Sequence, residues 1–147
     1  MHPLFPKTSR LTQAIIGAAI EVHRDKGPGL VESIYEWCLT KELELRRLPI
    51  VQQRIVKIRY KGFIREEPLR FDLLVDNCVL AELKAVETVL PVHKAQLLSY
   101  MRLLDVPIGL LINFNEAKLT AGISRMILPG ADSETSASSA SSCKMIP

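Results

Sequence analysis

Residues 70–85, RFDLLVDNCVLAELKA, alternate apolar and polar side chains with period two, the spacing of a β-strand. Leu69, Phe71, Leu73 and Val75 point one way, and Val79, Ala81, Leu83 and Ala85 do the same on the return. Asp76 and Asn77 between them are turn formers, so the stretch reads as a β-hairpin with one buried face. The other face holds Asp72, Glu82 and Lys84, in a row with Arg70, Leu74, Cys78 and Leu80. Parity then restricts the hairpin. Asp72 shares the face of Glu82 only if paired residues sum to an even number, which requires a loop of odd length. A three-residue loop, Asp76-Asn77-Cys78, with Asn in the left-handed region, sets Val75 opposite Val79 and Asp72 opposite Glu82. A two-residue loop would put the carboxylates on different faces.

Two carboxylates and a lysine on one patch suit a site built for a metal ion and water. Hard oxygen ligands favour Mg²⁺ or Mn²⁺. A lysine beside them orients or deprotonates an attacking water and offsets developing charge. An E-x-K pair alone is ordinary on a solvated strand, where alternating charge is common. The rest of the chain has to carry the case.

At 147 residues, 48% of them hydrophobic, the chain is the size of one domain with its own core. A formal net charge of +3 does not announce a nucleic-acid binder, yet it is compatible with one that keeps acidic residues for metals. The three cysteines, Cys38, Cys78 and Cys143, are scattered and form no C-x-x-C. That argues against a disulfide framework and against a zinc or iron–sulfur site, and for a reducing, cytoplasmic setting. The apolar run at 14–20 is followed at once by Glu21, His23 and Arg24, so it reads as helix and not as a signal peptide. No run approaches the ~18 apolar residues of a membrane span.

Residues 1–9, with Pro3 and Pro6, read as a loose leader. A helix capped by Thr12 or Ser9 runs to about Asp25 on a stripe of Leu11, Ile15, Ala18 and Val22, and Gly27-Pro28-Gly29 breaks it. A second helix spans about Val31 to Arg47, with Glu32 in its first turn beside the apolar positions Tyr35, Leu39 and Leu43. Residues 51–60 read as an edge strand turning at Lys61-Gly62, and Glu67-Pro68 predicts a bulge in the return strand. The basic residues here, Arg54, Lys57, Arg59, Lys61 and Arg65, suit either a phosphate backbone or a solvated edge. Pro91 opens a third helix to about Leu104, with Leu97, Met101 and Leu104 as its stripe. Gln96 and Tyr100 lie side by side on a neighbouring face, where an amide and a phenol orient water and touch a phosphate. Residues 108–114 read as a strand covered on both faces, and 122–128 as a last edge strand. From Ala131 the Ser/Ala-rich sequence predicts a disordered tail over 131–147, leaving a domain over 10–130. His23 and His93 read as boundary residues. The order predicts an α/β (α+β) fold, a mixed β-sheet with an antiparallel three-stranded meander flanked by helices.

The run Gly29-Leu30-Val31-Glu32-Ser33-Ile34-Tyr35 fits the pattern of the GxxExxY family. The flanking IIGAAIEVHRDKGPGL, the hairpin FDLLVDNCVLAELKAV and KAQLLSYMRL resemble that family over about residues 10–130. The family is similar to the PD-(D/E)xK nuclease superfamily, whose restriction-endonuclease-like core of helix, three-stranded meander, helix and strand agrees with the order above. The resemblance implies that Asp72 and Glu82 are the acidic metal ligands and Lys84 the catalytic lysine. It implies that Glu32 completes the metal site, and that Gln96 and Tyr100 form the Q-x-x-x-Y motif of the RecB-like branch. Phe71 stands where the superfamily name has proline, and the four-cysteine cluster of some RecB-like nucleases is absent.

The expected function is therefore an Mg²⁺- or Mn²⁺-dependent nuclease acting on nucleic acid, DNA in the first instance. Arg59, Lys61, Arg70 and Lys94 are its candidate phosphate contacts. A homodimer or protein partner would supply recognition that so short a chain does not display. The alternative is a catalytically silent nucleic-acid or protein-binding module with the same fold.

Overall fold

A computed structural model of the chain describes residues 1–133. Helix α1 (Thr8–Lys26) and helix α2 (Glu32–Leu45) lead into strands β1 (Ile50–Tyr60), β2 (Phe63–Val75) and β3 (Val79–Lys84). Helix α3 (Pro91–Leu104) then crosses over to β4 (Ile108–Asn113), and β5 (Ile123–Ile127) closes the order. The sheet runs β1-β2-β3-β4-β5. Only β3 and β4 are parallel, as a helical crossover between them requires. This is the mixed α/β sheet with an antiparallel meander that the element order predicts.

The β2–β3 turn has the odd loop. Val75 faces Val79 and Leu73 faces Ala81, with Asp76 and Asn77 both at positive φ (50° and 56°). The single buried face does not hold. Leu73, Val75, Ala81 and Leu83 pack under α1 and α2 with Ile15, Tyr35 and Leu39. Leu74 and Leu80, expected to share the polar face, are fully buried under α3 against Leu97 and Met101. Cys78, expected in that same row, instead joins the α1–α2 side, where its thiol donates to Leu4 O at 3.3 Å. Strand β4 is buried along its whole length, as its continuous apolar run predicts.

Period two also breaks upstream. Val51 pairs with Leu74 and Gln53 with Arg70, so three residues of β2, Phe71 to Leu73, stand opposite Gln52 alone. This bulge moves Leu69 and Phe71 onto the α3 side, away from Leu73. At Glu67-Pro68, where the sequence predicts the bulge, the register is unbroken. Strand β3 pairs only with Leu73–Val75, so no strand on the other side of Pro68 needs the missing N–H.

The leader is built into the fold and is not loose. Phe5–Lys7 form a 3₁₀ turn, α1 starts at Thr8 ahead of either expected cap, and Leu4 and Phe5 pack on the core. His2 N–H donates to Ala131 O at 2.9 Å, and Ala131 itself is buried, so the packed chain extends past the expected start of the tail. The rest of that tail from residue 134, with Cys143, lies outside the described residues. Among the described residues no helix is long and apolar enough to cross a membrane.

Candidate active site

The site forms where β2 and β3 part. Beyond Leu73–Ala81 the strands stop pairing through their backbones. Side chains take over: Asp72 N–H donates to Glu82 Oε2 at 3.0 Å, and Leu83 N–H donates to Asp72 Oδ2 at 2.7 Å. Each acid is thus held by the other strand, in orientations that ordinary ladder pairing would not provide. Glu82 is only 9% exposed. Lys84 ends β3 on the same face. Its backbone carbonyl accepts from Phe114 N–H at 2.8 Å. The buried Asn113 side chain grips Val86 by both N–H (3.1 Å) and carbonyl (2.9 Å), which fixes how the chain leaves the site.

Glu32 arrives from the first turn of α2. The turn before it uses Gly29 at φ +98°, a conformation costly for any other residue. Tyr35 clamps that turn: its hydroxyl donates to Gly27 O at 2.5 Å and accepts Leu30 N–H at 3.1 Å. Its ring stacks on Phe114, centroids 4.5 Å apart. In the run Gly29-x-x-Glu32-x-x-Tyr35, then, the glycine makes the bend, the tyrosine locks it and the glutamate is what the bend delivers. From the opposite side α3 brings Gln96 and Tyr100, joined by an Nε2-to-hydroxyl hydrogen bond of 3.3 Å. Glu32, Asp72, Glu82, Lys84, Gln96 and Tyr100 line one cleft of about 210 Å³, and Arg70 and Phe71 complete its wall.

Electrostatics marks the cleft. Burial, and then the charge of Asp72, push the Glu82 carboxyl up to about 8. Burial and Asp72 also raise Glu32, against a smaller opposing pull from Lys84. Glu36, one helical turn after Glu32, is raised by burial, by the charge of Asp72 and by a hydrogen bond with it. Carboxyls raised by burial and by one another's charge are ones that a cation in the cleft would favour in ionised form. The donor set is all oxygen, which suits a hard divalent ion. Among the described residues, no three acidic, histidine or cysteine side chains already close into a ligand set.

Glu36 and Gln52 are absent from the sequence reading. Gln52 Nε2 donates to Glu36 Oε2 at 3.1 Å and to Asp72 O at 3.0 Å, bridging α2 to the β2 bulge. The four-residue spacing of Glu32 and Glu36 is visible in the sequence and places both on one helix face. Nothing local marks Gln52, whose role depends on the bulge. Of the basic candidates, Arg70 reaches the cleft. Arg59 and Lys61 sit at the far end of the β1–β2 ribbon, and Lys94 lies in a separate hollow with Glu87, Asn113 and Glu116. The histidines are engaged elsewhere: His23 hydrogen-bonds Glu116 O at 2.8 Å, and His93 Nδ1 accepts Leu90 N–H at 3.0 Å.

Fold and site together define an α/β domain with an acid-and-lysine cleft at the parting of two central strands. Residues 9–126 match the family pattern of the PD-(D/E)XK nuclease superfamily, and the chain belongs to that superfamily. Neither the curated proteins nor the solved structures gave a match to it.

Proposed function

We propose that the chain is a divalent-metal-dependent nuclease that hydrolyses phosphodiester bonds, with the GxxExxY motif and the RecB-like Q-x-x-x-Y pair as working parts. Superfamily membership supports the reaction class. The observation that carries the site is the interlock of Asp72 and Glu82, with the Glu82 carboxyl raised to about 8, in one cleft with Glu32 and Lys84.

Asp72, Glu82 and Glu32 would hold Mg²⁺ or Mn²⁺, which supplies positive charge to a phosphate oxygen and lowers the barrier to attack by water. Lys84 orients the attacking water and offsets the charge gained at phosphorus. Tyr100 and Gln96 act as a hydrogen-bonded pair that fixes the position of water and phosphate. Arg70 neutralises the incoming backbone at the mouth. Water oxygen bonds to phosphorus as the bond to the 3′ oxygen breaks, leaving a 5′-phosphate and a 3′-hydroxyl.

The test is incubation of the purified protein with labelled single- and double-stranded DNA and RNA, in Mn²⁺ or Mg²⁺ and in a chelator. Cleavage is expected with metal and not with chelator, and Asp72→Asn and Glu82→Gln should each lose at least about 100-fold. Undiminished cleavage by Asp72→Ala would defeat the reading. So would Mn²⁺ titrations showing no binding that depends on Glu82.

A further inference from the structure

The β1–β2 ribbon outruns its sheet. Strand β3 stops pairing at Leu73, yet β1 and β2 continue together from Gln53–Arg70 to Tyr60–Phe63. At ~3.3 Å per residue this arm extends about 23 Å past the cleft. Directly paired residues share a face, so the arm has two distinct sides. On one, Arg54, Val56, Ile58, Glu67 and Leu69 are buried or half-buried, with Leu69 packed toward α3, while Arg65, Tyr60 and Phe63 nearer the tip are exposed. On the other, Gln53, Ile55, Lys57, Arg59, Ile64 and Arg70 are all exposed, with Ile55 at 64% and Ile64 at 59%, as are Pro68 and Glu66, the latter directly opposite Lys57. Arg70, at the root of this open face, also lines the cleft. The open face therefore runs without interruption into the proposed site.

Charge decides what such a face takes. The open face holds Lys57, Arg59 and Arg70 against Glu66, a net +2, within a segment 53–70 whose six basic and two acidic residues give +4 in a chain whose total is +3. The rest of the chain is thus net acidic by one. The other acid, Glu67, lies on the opposite side, where it pairs with Arg65 at 2.6 Å. A second copy of the arm would meet like charge along its length, and basic side chains on an edge strand block self-pairing. A polyanion meets complementary charge. Tyr60 and Phe63, on the side of Val56 and Ile58, are 65% and 76% exposed at the tip, where Lys61 Nζ stands 5.3 Å over the Tyr60 ring.

We infer that the open face of the β1–β2 arm is a nucleic-acid grip, in which Lys57 and Arg59 hold backbone phosphates of the strand whose scissile phosphate lies beyond Arg70. This rests on the nuclease reading for the position of the scissile bond, but its test is read on binding alone.

Anisotropy of labelled single-stranded DNA, duplex DNA and RNA is measured with the full chain in chelator, over a salt series. The K57Q/R59Q variant is compared with K41Q/K118Q, which removes two charges on other surfaces. The arm variant should bind about tenfold or more weakly at low salt. Its log–log salt slope should be shallower by about 1.8 on duplex or about 1.4 on single strands, with the control unchanged. Equal affinity and slope in arm variant and wild type would overturn the grip, as would absence of binding by the wild type. A change in sedimentation with no change in nucleic-acid binding would overturn it in favour of self-association. If the arm variant loses binding while the wild type fails to cleave in Mn²⁺, the grip stands and the nuclease reading falls. If cleavage is intact and the arm variant binds normally, the reverse holds.

Discussion

At Glu82 burial and neighbouring charge act in one direction, and the sign of the consequence follows. Its carboxyl is raised to about 8 from an ordinary value near 4.5. Between those values the folded protein keeps a proton that the unfolded chain releases. Stability is then fully present below the unfolded value and is lost as pH rises through the folded one. Metal-free protein should lose thermal stability between about pH 5 and pH 8, by up to a few kcal/mol, and Glu82→Gln should flatten the profile. A wild-type melting profile in chelator that rises over this window would refute the assignment. Lys84 acts differently, since it offers no oxygen to an ion. Lys84→Ala should keep Mn²⁺ binding by calorimetry and lower the cleavage rate by about 100-fold or more. Glu82 and Lys84 were both readable from strand parity. Glu36 was readable from helix spacing, and Gln52 was not readable at all, because its partners come from α2 and from a bulge that local sequence does not signal.

At the scale of elements, the seat of α3 decides whether Gln96 and Tyr100 reach the cleft. A Cβ on Gly109 of β4 would lie 2.5 Å from Met101 Sδ and 3.0 Å from Leu97 Cγ, so α3 packs where only hydrogen fits. Gly109→Ala should cost about 1–3 kcal/mol in denaturant titrations and should slow cleavage further by moving the Gln96–Tyr100 pair. Wild-type stability in that variant would show that the helix yields at no cost. The α1–α2 turn is the other lever. Tyr35→Phe keeps the stack on Phe114 but leaves the Leu30 N–H and Gly27 carbonyl without the hydroxyl, a loss of about 1 kcal/mol. Its activity should fall more than that of a surface variant of equal stability, because Glu32 follows the same turn.

Over the whole molecule, acid collects in the cleft and base along the arm. The cleft acids repel one another without an ion, so an ion that binds only the folded state should stabilise it by mass action, about 2.7 kcal/mol at a hundredfold excess over Kd. Melting curves should rise with Mn²⁺ in the wild type and stay flat in Glu82→Gln. A wild type indifferent to Mn²⁺ would count against every metal role assigned above. High salt should weaken nucleic-acid binding through the arm far more than it weakens the fold, because exposed charges are screened and the core is not.

The pattern of residues along the chain determined by itself the element order, the odd β2–β3 loop, the bounds of α3 and the gathering of Asp72, Glu82 and Lys84 in one cleft, although the ladder stops short of setting Asp72 directly opposite Glu82. These rest on interactions between near neighbours: pleat parity, helix spacing and the stops set by Gly and Pro. Tertiary structure alone decided the second buried face of the hairpin, the bulge opposite Gln52, the docking of the first residues against Ala131 and the reach of the β1–β2 arm. Each of these depends on what another element covers or leaves uncovered. The period of a strand records that one face is apolar, but not whether a helix arrives to bury the other.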